Sequence, residues 1–405
     1  MSKSTSFSGQ PIFNQLLSLI PKHLIRSLSD KHNADKYCKK FFFYDHLITM
    51  LFSSFHSCTS LREVITGMQA YGRKLFHLGL KNTPRKSTFA DSNGKRGSIV
   101  FEELFHQLAN HFYKLSPDSR AKNLLRRMFI IDSTTVTLFK SIMRGAGSYS
   151  LSGKKKGGAK AHTLLDADRN TPELVRITEA RMSDKDFLKY VNIVPHSIVI
   201  IDKAYNFYKV FIEWTKNDIR WYTRLNKAAV YEILEHLPLT EEQLKLGVLD
   251  DQIIKLGNPA TSKKTPLQNA RIVHYKDKTT GKIFQFLSND FESQAFEIAE
   301  MYKKRWQIEM FFKRLKQNFP LNYFLGDNEN AIRIQMWCSL IADLLIKVVM
   351  DRTAKYRKWS FANLCGIIRI HLETYLDLFA FLKNPEKELI NYEPPPEEYY
   401  QTSLF

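Results

Sequence analysis

Two short runs of branched apolar residues, each with one aspartate, constrain the fold of this chain most. They are MFIIDSTTV at 128–136, which contains Asp132, and SIVIID at 197–202, which ends in Asp202. Short continuous apolar runs with polar flanks are typical of strands that are buried on both faces of a sheet. Together they predict an α/β core in which two buried strands each end in an aspartate.

The segments around these strands alternate between strand-like and helix-like patterns. AHTLLDAD at 161–168 and ELVRITEA at 173–180 predict a hairpin, and a helix at 205–217 precedes another strand at 219–225. This order predicts a mixed α/β sheet. The polar stretch that follows, 226–280, contains several Gly and Pro turn signals and predicts a β-rich insertion.

The first 120 residues have helical periodicity and a positive charge. Ser60 and Glu63 form the S-x-x-E pattern of a capping box, which predicts that a helix begins there. Seventeen Lys and Arg against eight Asp and Glu leave this segment at +9. Short basic helices favour a DNA-binding domain, and a helical cap on the next domain is the alternative.

The charge of the whole chain points in the same direction. It has 60 Lys and Arg against 41 Asp and Glu, a formal net charge of +19. This excess favours a polyanionic partner, nucleic acid before an acidic membrane, with a basic but otherwise ordinary enzyme as the alternative. Four isolated cysteines argue against a zinc ribbon or a disulfide framework and suit a reducing cytoplasm. The most apolar stretch, 340–350, is interrupted by Asp343 and Lys347, so no membrane association is expected.

The two strand aspartates are candidate functional residues. A carboxylate at the end of a buried strand costs desolvation free energy unless a partner or a metal ion compensates it. One aspartate in this place is more often a turn or helix cap. Two such strands in one chain favour a metal site at the edge of the sheet, where sites in open α/β sheets form.

A third carboxylate belongs to a long helix that is expected from about residue 292 to 316. Four residues of MYKKRWQIEMFFKRLKQ lie at offsets of 0, 3, 7 and 14, namely Tyr302, Arg305, Glu309 and Lys316. At about 100° per residue these side chains fall within roughly 60° of arc. A solvated charged face with i,i+4 pairing is the alternative explanation of the pattern.

The order Y-x2-R-x3-E-x6-K resembles the Y-R-E-K motif of DDE transposases from bacterial insertion sequences. Asp132 in IDSTTV and Asp202 in IDKAY are similar to the first and second aspartates of that cut-and-paste family. The resemblance extends from about residue 7 to 382. It implies an α/β, ribonuclease-H-like catalytic core that carries a β-rich insertion and is preceded by an all-helical domain.

The resemblance also implies the catalytic residues and the cofactor. Asp132, Asp202 and Glu309 would be catalytic and would hold two divalent metal ions, Mg²⁺ or Mn²⁺. Three acidic oxygen ligands without a Cys cluster or paired His suit these metals better than zinc. Two ions at such a site stabilise the entering and leaving oxygens of a phosphoryl displacement.

The other motif residues are expected to bind DNA by the same match. Tyr302, Arg305 and Lys316 would contact phosphates close to the scissile bond. Trp306 would stack on a flipped base during hairpin formation, and core packing is the alternative. A relative's insertion supplies a second Trp, but residues 227–290 contain none. Three aromatic residues stay open as substitutes: Tyr231, Tyr275 and Phe284.

Further DNA contacts are predicted before and on the second strand of the sheet. The basic, glycine-punctuated run between residues 140 and 160 contains Lys154, Lys155 and Lys156 and predicts a strand-binding loop. A solvated linker is the alternative. His162 is expected near the site as a candidate DNA contact, although a lone histidine on a strand is usually structural.

The domain boundaries follow from these assignments. They are a helical DNA-binding domain at 1–120, the first part of the catalytic core at 121–225, the β-rich insertion at 226–280, the second part of the core with the Y-R-E-K helix at 281–320, C-terminal helices for dimerisation at 321–383 and an acidic tail at 384–405.

The resulting hypothesis is a transposase of the bacterial cytoplasm, associated with the nucleoid. It would bind the terminal inverted repeats of its element as double-stranded DNA and pair two ends as a homodimer. End nicking, a hairpin and strand transfer to target DNA would follow. A metal-dependent nuclease of the same fold without strand transfer and a non-catalytic DNA-binding derivative are the alternatives.

Overall fold

The computed structural model divides the chain into two compact units. It describes residues 9–81, 83–114, 126–137, 158–179, 182–261, 267–321 and 323–387. The first unit comprises residues 1–108, 317–326 and 330–405, and the second comprises 109–316 and 327–329. None of the helices within these described segments is both long enough and apolar enough to cross a lipid bilayer.

Helices make up most of the first unit and lie between the strands of the second. In chain order they are α1 (Ile12–Leu17), α2 (Lys22–Lys31), α3 (Phe43–His56), α4 (Leu61–Tyr71), α5 (Lys86–Lys95), α6 (Ile99–Lys114), α7 (Asp184–Phe187), α8 (Tyr208–Lys216), α9 (Glu241–Leu246), α10 (Ala295–Lys303), α11 (Trp306–Asn318), α12 (Glu329–Thr353), α13 (Phe361–His371) and α14 (Leu378–Lys383).

The first unit combines helices from both ends of the chain around one apolar core. Phe13 on α1 is fully buried, and its N–H donates to the carbonyl of Leu372, which follows α13, at 2.9 Å. The hydroxyl of Tyr71 on α4 donates to the same carbonyl at 3.1 Å. These bonds join the N-terminal and C-terminal helices within one unit, so the predicted 1–120 and 321–383 segments share a core here.

The predicted start of α4 is confirmed. The hydroxyl oxygen of Ser60 accepts from the backbone N–H of Glu63 at 3.2 Å. The Glu63 carboxylate in turn accepts from the N–H and the hydroxyl of Thr59. Because these contacts satisfy donors that the first helical turn leaves unpaired, the helix begins at Leu61.

The second unit is built on a nine-stranded mixed sheet, which confirms the predicted α/β class and the hairpin. The strands are β1 (Met128–Thr137), β2 (Gly158–Asp166), β3 (Thr171–Glu179), β4 (Ile198–Ile201), β5 (Arg220–Arg224), β6 (Tyr231–His236), β7 (Val248–Leu256), β8 (Gln268–Lys276) and β9 (Ile283–Ser288). Their order in the sheet is β3–β2–β1–β4–β5–β9–β8–β7–β6. Strand β1 runs antiparallel to β2 and parallel to β4, and β5 runs parallel to β4 and antiparallel to β9.

The strands of the 226–280 stretch continue this sheet. Strand β9 joins them to β5, with Arg224 opposite Phe286. Buried residues of β4, β5 and the inserted strands belong to one apolar cluster, among them Val199, Trp221, Ile254 and Leu287. The stretch therefore shares its core with the strands that carry the two aspartates.

Two elements differ from the sequence prediction. The long helix that the sequence predicted is two helices, α10 and α11. The backbone N–H groups of Lys304 and Arg305 donate to the carbonyls three residues back, those of Met301 and Tyr302. These bonds tighten the chain into a turn between the two helices. Strand β1 covers the predicted run 128–136 and ends at Thr137, so Asp132 lies within the strand and not at its end. The antiparallel pairing with β2 supplies partners for the residues after Asp132, whereas the parallel pairing with β4 stops just before Asp132.

Candidate active site

Asp132 and Asp202 lie at the same edge of the parallel strands β1 and β4. The last paired residues of these strands are Ile131 and Ile201, and each aspartate comes directly after its member of that pair. Asp202 also caps the short 3-10 turn Lys203–Tyr205, since its carboxylate accepts from the N–H of Ala204 at 3.0 Å. The pairing of parallel strands thus brings two carboxylates that are distant in sequence to one edge.

The guanidinium of Arg305 connects Asp132 with Glu309. Its Nη1 donates to Oδ2 of Asp132 at 2.7 Å, and its Nη2 donates to Oε1 of Glu309. Arg305 can reach both because it occupies the turn between α10 and α11, while Glu309 lies in the first turn of α11. The structure thus links the first and third predicted catalytic carboxylates through one cation.

A second arginine accompanies Asp202. Arg224, the last residue of β5, donates from Nη2 to Oδ2 of Asp202 at 3.0 Å. Sequence reasoning missed this residue. The available signal was its place at the end of a strand, because the carboxyl ends of the neighbouring parallel strands β4 and β5 meet at one edge.

The acidity of Asp132 reflects this crowded environment. Burial raises the pKa of its carboxyl to about 6 from an ordinary 3.8, and the charges of Asp202 and Glu309 raise it as well. The N–H of Ser133 and the guanidinium of Arg305 act in the opposite direction. Asp132 therefore shares an electrostatic field with the other two carboxylates and is stabilised by added positive charge.

The donor chemistry of this edge suits a hard divalent cation. Asp132, Asp202 and Glu309 offer only carboxylate oxygens, the ligands that Mg²⁺ and Mn²⁺ prefer. Among the described residues no three His, Cys, Asp or Glu side chains converge closely enough to form a ready-made ion cage. Arg305 instead provides the positive charge between two of the three acids. The three carboxylates are chemically suited to a metal ion, and in the structure they form ion pairs with Arg305 and Arg224.

The other motif residues do not share one exposed helical flank, because the helix breaks at Arg305. Tyr302, on α10, is buried at 7% exposure and packs on Phe286 with 5.0 Å between ring centroids. Lys316, at the end of α11, donates to the carbonyl of Thr135 at 3.0 Å, and burial lowers the pKa of its amine. The expectation of a single charged face was therefore wrong for Tyr302.

A cavity of about 320 Å³ opens beside the arginine-bridged carboxylates. Its lining combines aromatic rings with cations: Arg224, Tyr275, Asp277, Phe284, Phe286, Tyr302, Lys303, Arg305 and Trp306. Trp306 is 59% exposed, which contradicts the core-packing alternative for this residue. Of the three aromatic residues left open in the sequence, Tyr275 and Phe284 line the cavity and Tyr231 does not.

The turn between β8 and β9 supports one wall of this cavity. Asp277 accepts hydrogen bonds from the backbone N–H groups of Thr279 and Thr280 and from the Thr280 hydroxyl. Gly281 adopts φ +68°, a left-handed conformation that glycine tolerates best, and its N–H donates to the carbonyl of Asp277 at 2.8 Å. The turn therefore holds β9, with Phe284 and Phe286, in a defined register.

His162 is a structural residue and not a DNA contact. Its side chain has no exposed surface and stacks on Phe187 with centroids 5.2 Å apart. Its two ring nitrogens lie 3.0 Å from the Tyr205 hydroxyl and 3.1 Å from the Thr178 hydroxyl. Burial lowers its pKa to about 4, so the ring is neutral near pH 7. The predicted DNA contact at His162 is corrected, since a fully buried ring cannot reach a ligand.

The predicted strand-binding loop can be followed only at its end. Lys154, Lys155 and Lys156 lie outside the described residues. Lys160, on β2, is partly buried and donates to Asp184 at 3.1 Å, so its charge is paired within the second unit.

Comparison with known proteins finds two family models that match parts of this chain. A family model described as "Transposase DDE domain" matches residues 123–345, and another, "Domain of unknown function (DUF4372)", matches residues 8–81. A putative transposase, y4zB, of Sinorhizobium fredii is 28% identical over 66% of this chain and 72% of its own length. The probable transposase of insertion sequence element IS5377 of Geobacillus stearothermophilus is 22% identical over 79% of each chain.

A third relative and a solved structure are also similar to this chain. The putative transposase of element IS4SA of a Synechocystis strain is 25% identical over 76% of this chain and 83% of its own. A piggyBac transposase synaptic complex with hairpin DNA aligns with 96% of this chain and 82% of that chain, at 11% identity and a TM-score of 0.43. The matched domain covers more than half of the 405 residues. The chain therefore belongs to the DDE transposase domain family.

Proposed function

We propose that this transposase binds the terminal inverted repeats of its insertion sequence and moves the element by metal-dependent cut-and-paste phosphoryl transfer. The observation that carries the proposal is the bridge from Arg305 to Asp132 and Glu309 at the edge that also presents Asp202. Three carboxylates beside two arginines form a site suited to a cation and a phosphate together. The reaction would take place in the cytoplasm, at the nucleoid.

The strand order supports a ribonuclease-H-like core. Strands β3, β2 and β1 are antiparallel neighbours, and β4 and β5 continue parallel to β1. We assign residues 121–225 and 281–320 to this core and 226–280 to its β-rich insertion. Residues 1–120 would bind element ends, and 321–383 would take part in a homodimer that pairs two ends.

The family implies dependence on a divalent metal. Asp132, Asp202 and Glu309 would hold it, as two Mg²⁺ or Mn²⁺ ions. When bound, these ions stabilise negative charge on the entering and leaving oxygens of a phosphodiester displacement. The burial of Asp132 and its neighbouring acids make this carboxylate favour an added cation.

Arg305 has two roles in this proposal. Its guanidinium keeps Asp132 and Glu309 close together without mutual repulsion. The same planar fork of donors matches a phosphate as well as a carboxylate, so it can hold a DNA phosphate beside the scissile bond. Lys316 would add a second phosphate contact from α11, and Tyr302 would shape the wall behind it.

The aromatic cavity is the proposed site of a flipped base during hairpin formation. Exposed Trp306 offers a ring face for stacking, and Tyr275 and Phe284 are the candidates for the second aromatic contact. Lys303 and Arg224 line the same cavity and would neutralise the phosphates next to the base. A base with its phosphate fits this combination of rings and cations.

Incubation of the purified protein with duplexes of its element ends and Mg²⁺ tests this function. We expect nicked, hairpinned and joined products from the wild type. Glu309→Gln should reduce nicking by at least about 100-fold, because it removes a ligand charge, while end binding stays within a few-fold. Glu241→Gln, at a side chain 91% exposed on α9, is the matched control and should cut normally.

The products also separate the alternatives. Normal cutting by Glu309→Gln would refute the assignment of the three carboxylates. Nicks without joined products would indicate a nuclease that lacks strand transfer. Binding of the ends without any cleavage by the wild type would indicate a non-catalytic DNA-binding derivative.

A further inference from the structure

The turn that connects α2 and α3 in the first unit presents an unusual surface. Lys36, Lys39 and Lys40 are exposed there, and Tyr37 between them is 90% exposed. We call this surface the 36–40 loop. Within the described part of the chain, none of its three lysines lies within ion-pair distance of a carboxylate, so their charges are not neutralised locally.

The loop is held from behind by a buried arginine. Arg96 is 6% exposed, and its guanidinium donates to the carbonyls of Ala34 and Phe41, both at 3.0 Å. It also lies 3.4 Å from Asp35, the acidic residue next to the loop. Asp35 accepts further bonds from the N–H of Phe43 and from a serine hydroxyl on α2. The Asp35 carboxylate is thus held by contacts within the first unit. The bonds from Arg96 to Ala34 and Phe41 fix the backbone on both sides of the loop.

Tyr37 adopts a conformation that aromatic residues rarely take. Its φ is +64°, in the left-handed region, which costs conformational free energy for a residue with a Cβ. The Lys36 ammonium lies 5.2 Å from the centre of its ring. The fold therefore holds an aromatic ring in water, in a strained conformation, beside three lysines that have no carboxylate partner among the residues that the structure describes.

We propose that the 36–40 loop is a DNA-binding surface of the first unit. Lys36, Lys39 and Lys40 pair with backbone phosphates, and Tyr37 packs against an adjacent sugar or base. This rests on the proposed function, which supplies transposon-end DNA as the polyanion. An acidic membrane suits the loop less well, because membrane-surface segments bury a continuous apolar face and this loop offers mainly one ring.

Binding to a fluorescently labelled element-end duplex, without divalent metal, tests the lysines. The triple variant Lys36→Gln, Lys39→Gln, Lys40→Gln should bind about tenfold or more weakly at 0.1 M salt. The binding constant falls as salt rises, and loss of three phosphate contacts should make the slope of log K against log salt shallower by about 2 to 3. The control removes three lysines that already have acidic partners, Lys95→Gln, Lys189→Gln and Lys245→Gln, and should bind almost normally.

Three substitutions of Tyr37 separate its ring from its backbone. Tyr37→Phe should bind like the wild type. Tyr37→Gly removes the ring but suits the positive φ, so it should keep or raise the urea midpoint while it weakens DNA binding about fivefold. Tyr37→Ala should lose the same affinity without that gain in stability.

Equal affinities and salt slopes for the loop triple and the control triple would overturn the inference. So would loss of binding to phosphatidylserine vesicles, measured in parallel, with DNA binding unchanged. Cleavage in Mg²⁺ is scored separately on the same duplex. A wild type that binds but never cuts would contradict the proposed function, while the loop would still be judged by binding alone.

Discussion

Arg305 shows at the scale of single residues how the site keeps three acids together. Its two terminal nitrogens hold Asp132 and Glu309, and Arg224 holds Asp202. The carboxylates are therefore paired with cations, while burial, and to a smaller extent the charges of Asp202 and Glu309, raise the pKa of Asp132 to about 6. Because a buried ionised carboxylate lowers the free energy of unfolding, a site of this kind favours function at the expense of stability.

The first prediction follows from Asp132. Its pKa is higher in the folded than in the unfolded protein, so the folded state holds the proton more tightly, and the contribution of Asp132 to stability falls as pH rises from about 3.8 to about 6. Asp132→Asn removes that charge and should raise the free energy of unfolding by about 1–3 kcal/mol at pH 7.5. Urea denaturation without metal measures it.

The pH dependence provides the control for that substitution. The gain should shrink towards pH 4.5, where the wild-type carboxyl is protonated in the folded state. Nicking by Asp132→Asn should be lost at every pH. A variant less stable than the wild type at pH 7.5 would show that the ion pair with Arg305 outweighs burial.

The second prediction concerns Trp306. Its side chain is largely exposed and lines the cavity, so Trp306→Ala should change the urea midpoint very little. Loss of the stacking surface should lower hairpin yield by about tenfold, with a smaller effect on first-strand nicking. Product analysis on denaturing gels distinguishes the two steps, and Trp306→Phe should recover most of the hairpin. Equal losses in both steps would assign Trp306 to general DNA binding.

At the scale of elements, the sequence predicted what depends on local pattern. The strands with Asp132 and Asp202, the β2–β3 hairpin and the start of α4 at Ser60 all carry their signals in adjacent residues. The break between α10 and α11 has no Gly or Pro to mark it in the sequence, and it places Arg305 in a turn from which the side chain reaches Asp132. The pairing of Arg224 with Asp202 likewise depends on which strands become neighbours.

The place of Asp132 within β1 has a similar cause. The run 128–136 predicts the strand itself, but β2 pairs with β1 as far as Thr137, beyond the residue at which the pairing with β4 stops. A partner strand from another part of the chain therefore decides that Asp132 is followed by further paired strand residues. The sequence of β1 alone does not show which partner continues past Asp132.

The third prediction tests the cap of α4. Ser60→Ala removes an acceptor from the first turn and should destabilise the first unit by about 1 kcal/mol. Ser60→Asp keeps an acceptor and adds a favourable charge at the helix start, so it should retain stability. Urea unfolding followed by circular dichroism measures both. A neutral Ser60→Ala would mean that Thr59 and Glu63 satisfy this turn without Ser60.

At the scale of the whole molecule, both units contain neutral histidines that are wholly or partly buried. Burial lowers the pKa of His46 to about 3 and those of His56 and His162 to about 4. In His46 the Arg96 guanidinium donates to Nδ1 at 2.9 Å, so Nε2 donates to Asn93 and the ring cannot accept another proton there. Unfolding exposes all three rings to ordinary protonation.

The fourth prediction is therefore a loss of stability in acid. Because these pKa values are depressed in the folded state, the unfolded chain binds more protons below about pH 6.5, and stability falls as pH decreases towards 4. Each histidine should cost about 1 kcal/mol between pH 7.5 and 5.5. Protonation of Asp132 stabilises the folded state over the same pH range, but its effect is smaller than the combined effect of the three histidines.

Urea titrations at several pH values measure this loss. His162→Gln keeps polar partners for Tyr205 and Thr178 and should flatten the pH dependence of the second unit. An unchanged pH dependence in that variant would show that His162 is already accessible to protons in the folded state.

The turn between β8 and β9 has a consequence for how the cavity can vary. Side chains on a strand alternate between faces, so Phe284 and Phe286 reach the cavity while Leu287 packs into the core. A turn longer or shorter by one residue would slip β9 against its neighbour and present Gln285 and Leu287 instead. The aromatic lining of the cavity thus depends on the length of a polar turn as well as on the aromatic residues themselves. An insertion or deletion in the turn would change which side chains line the cavity without any substitution in β9.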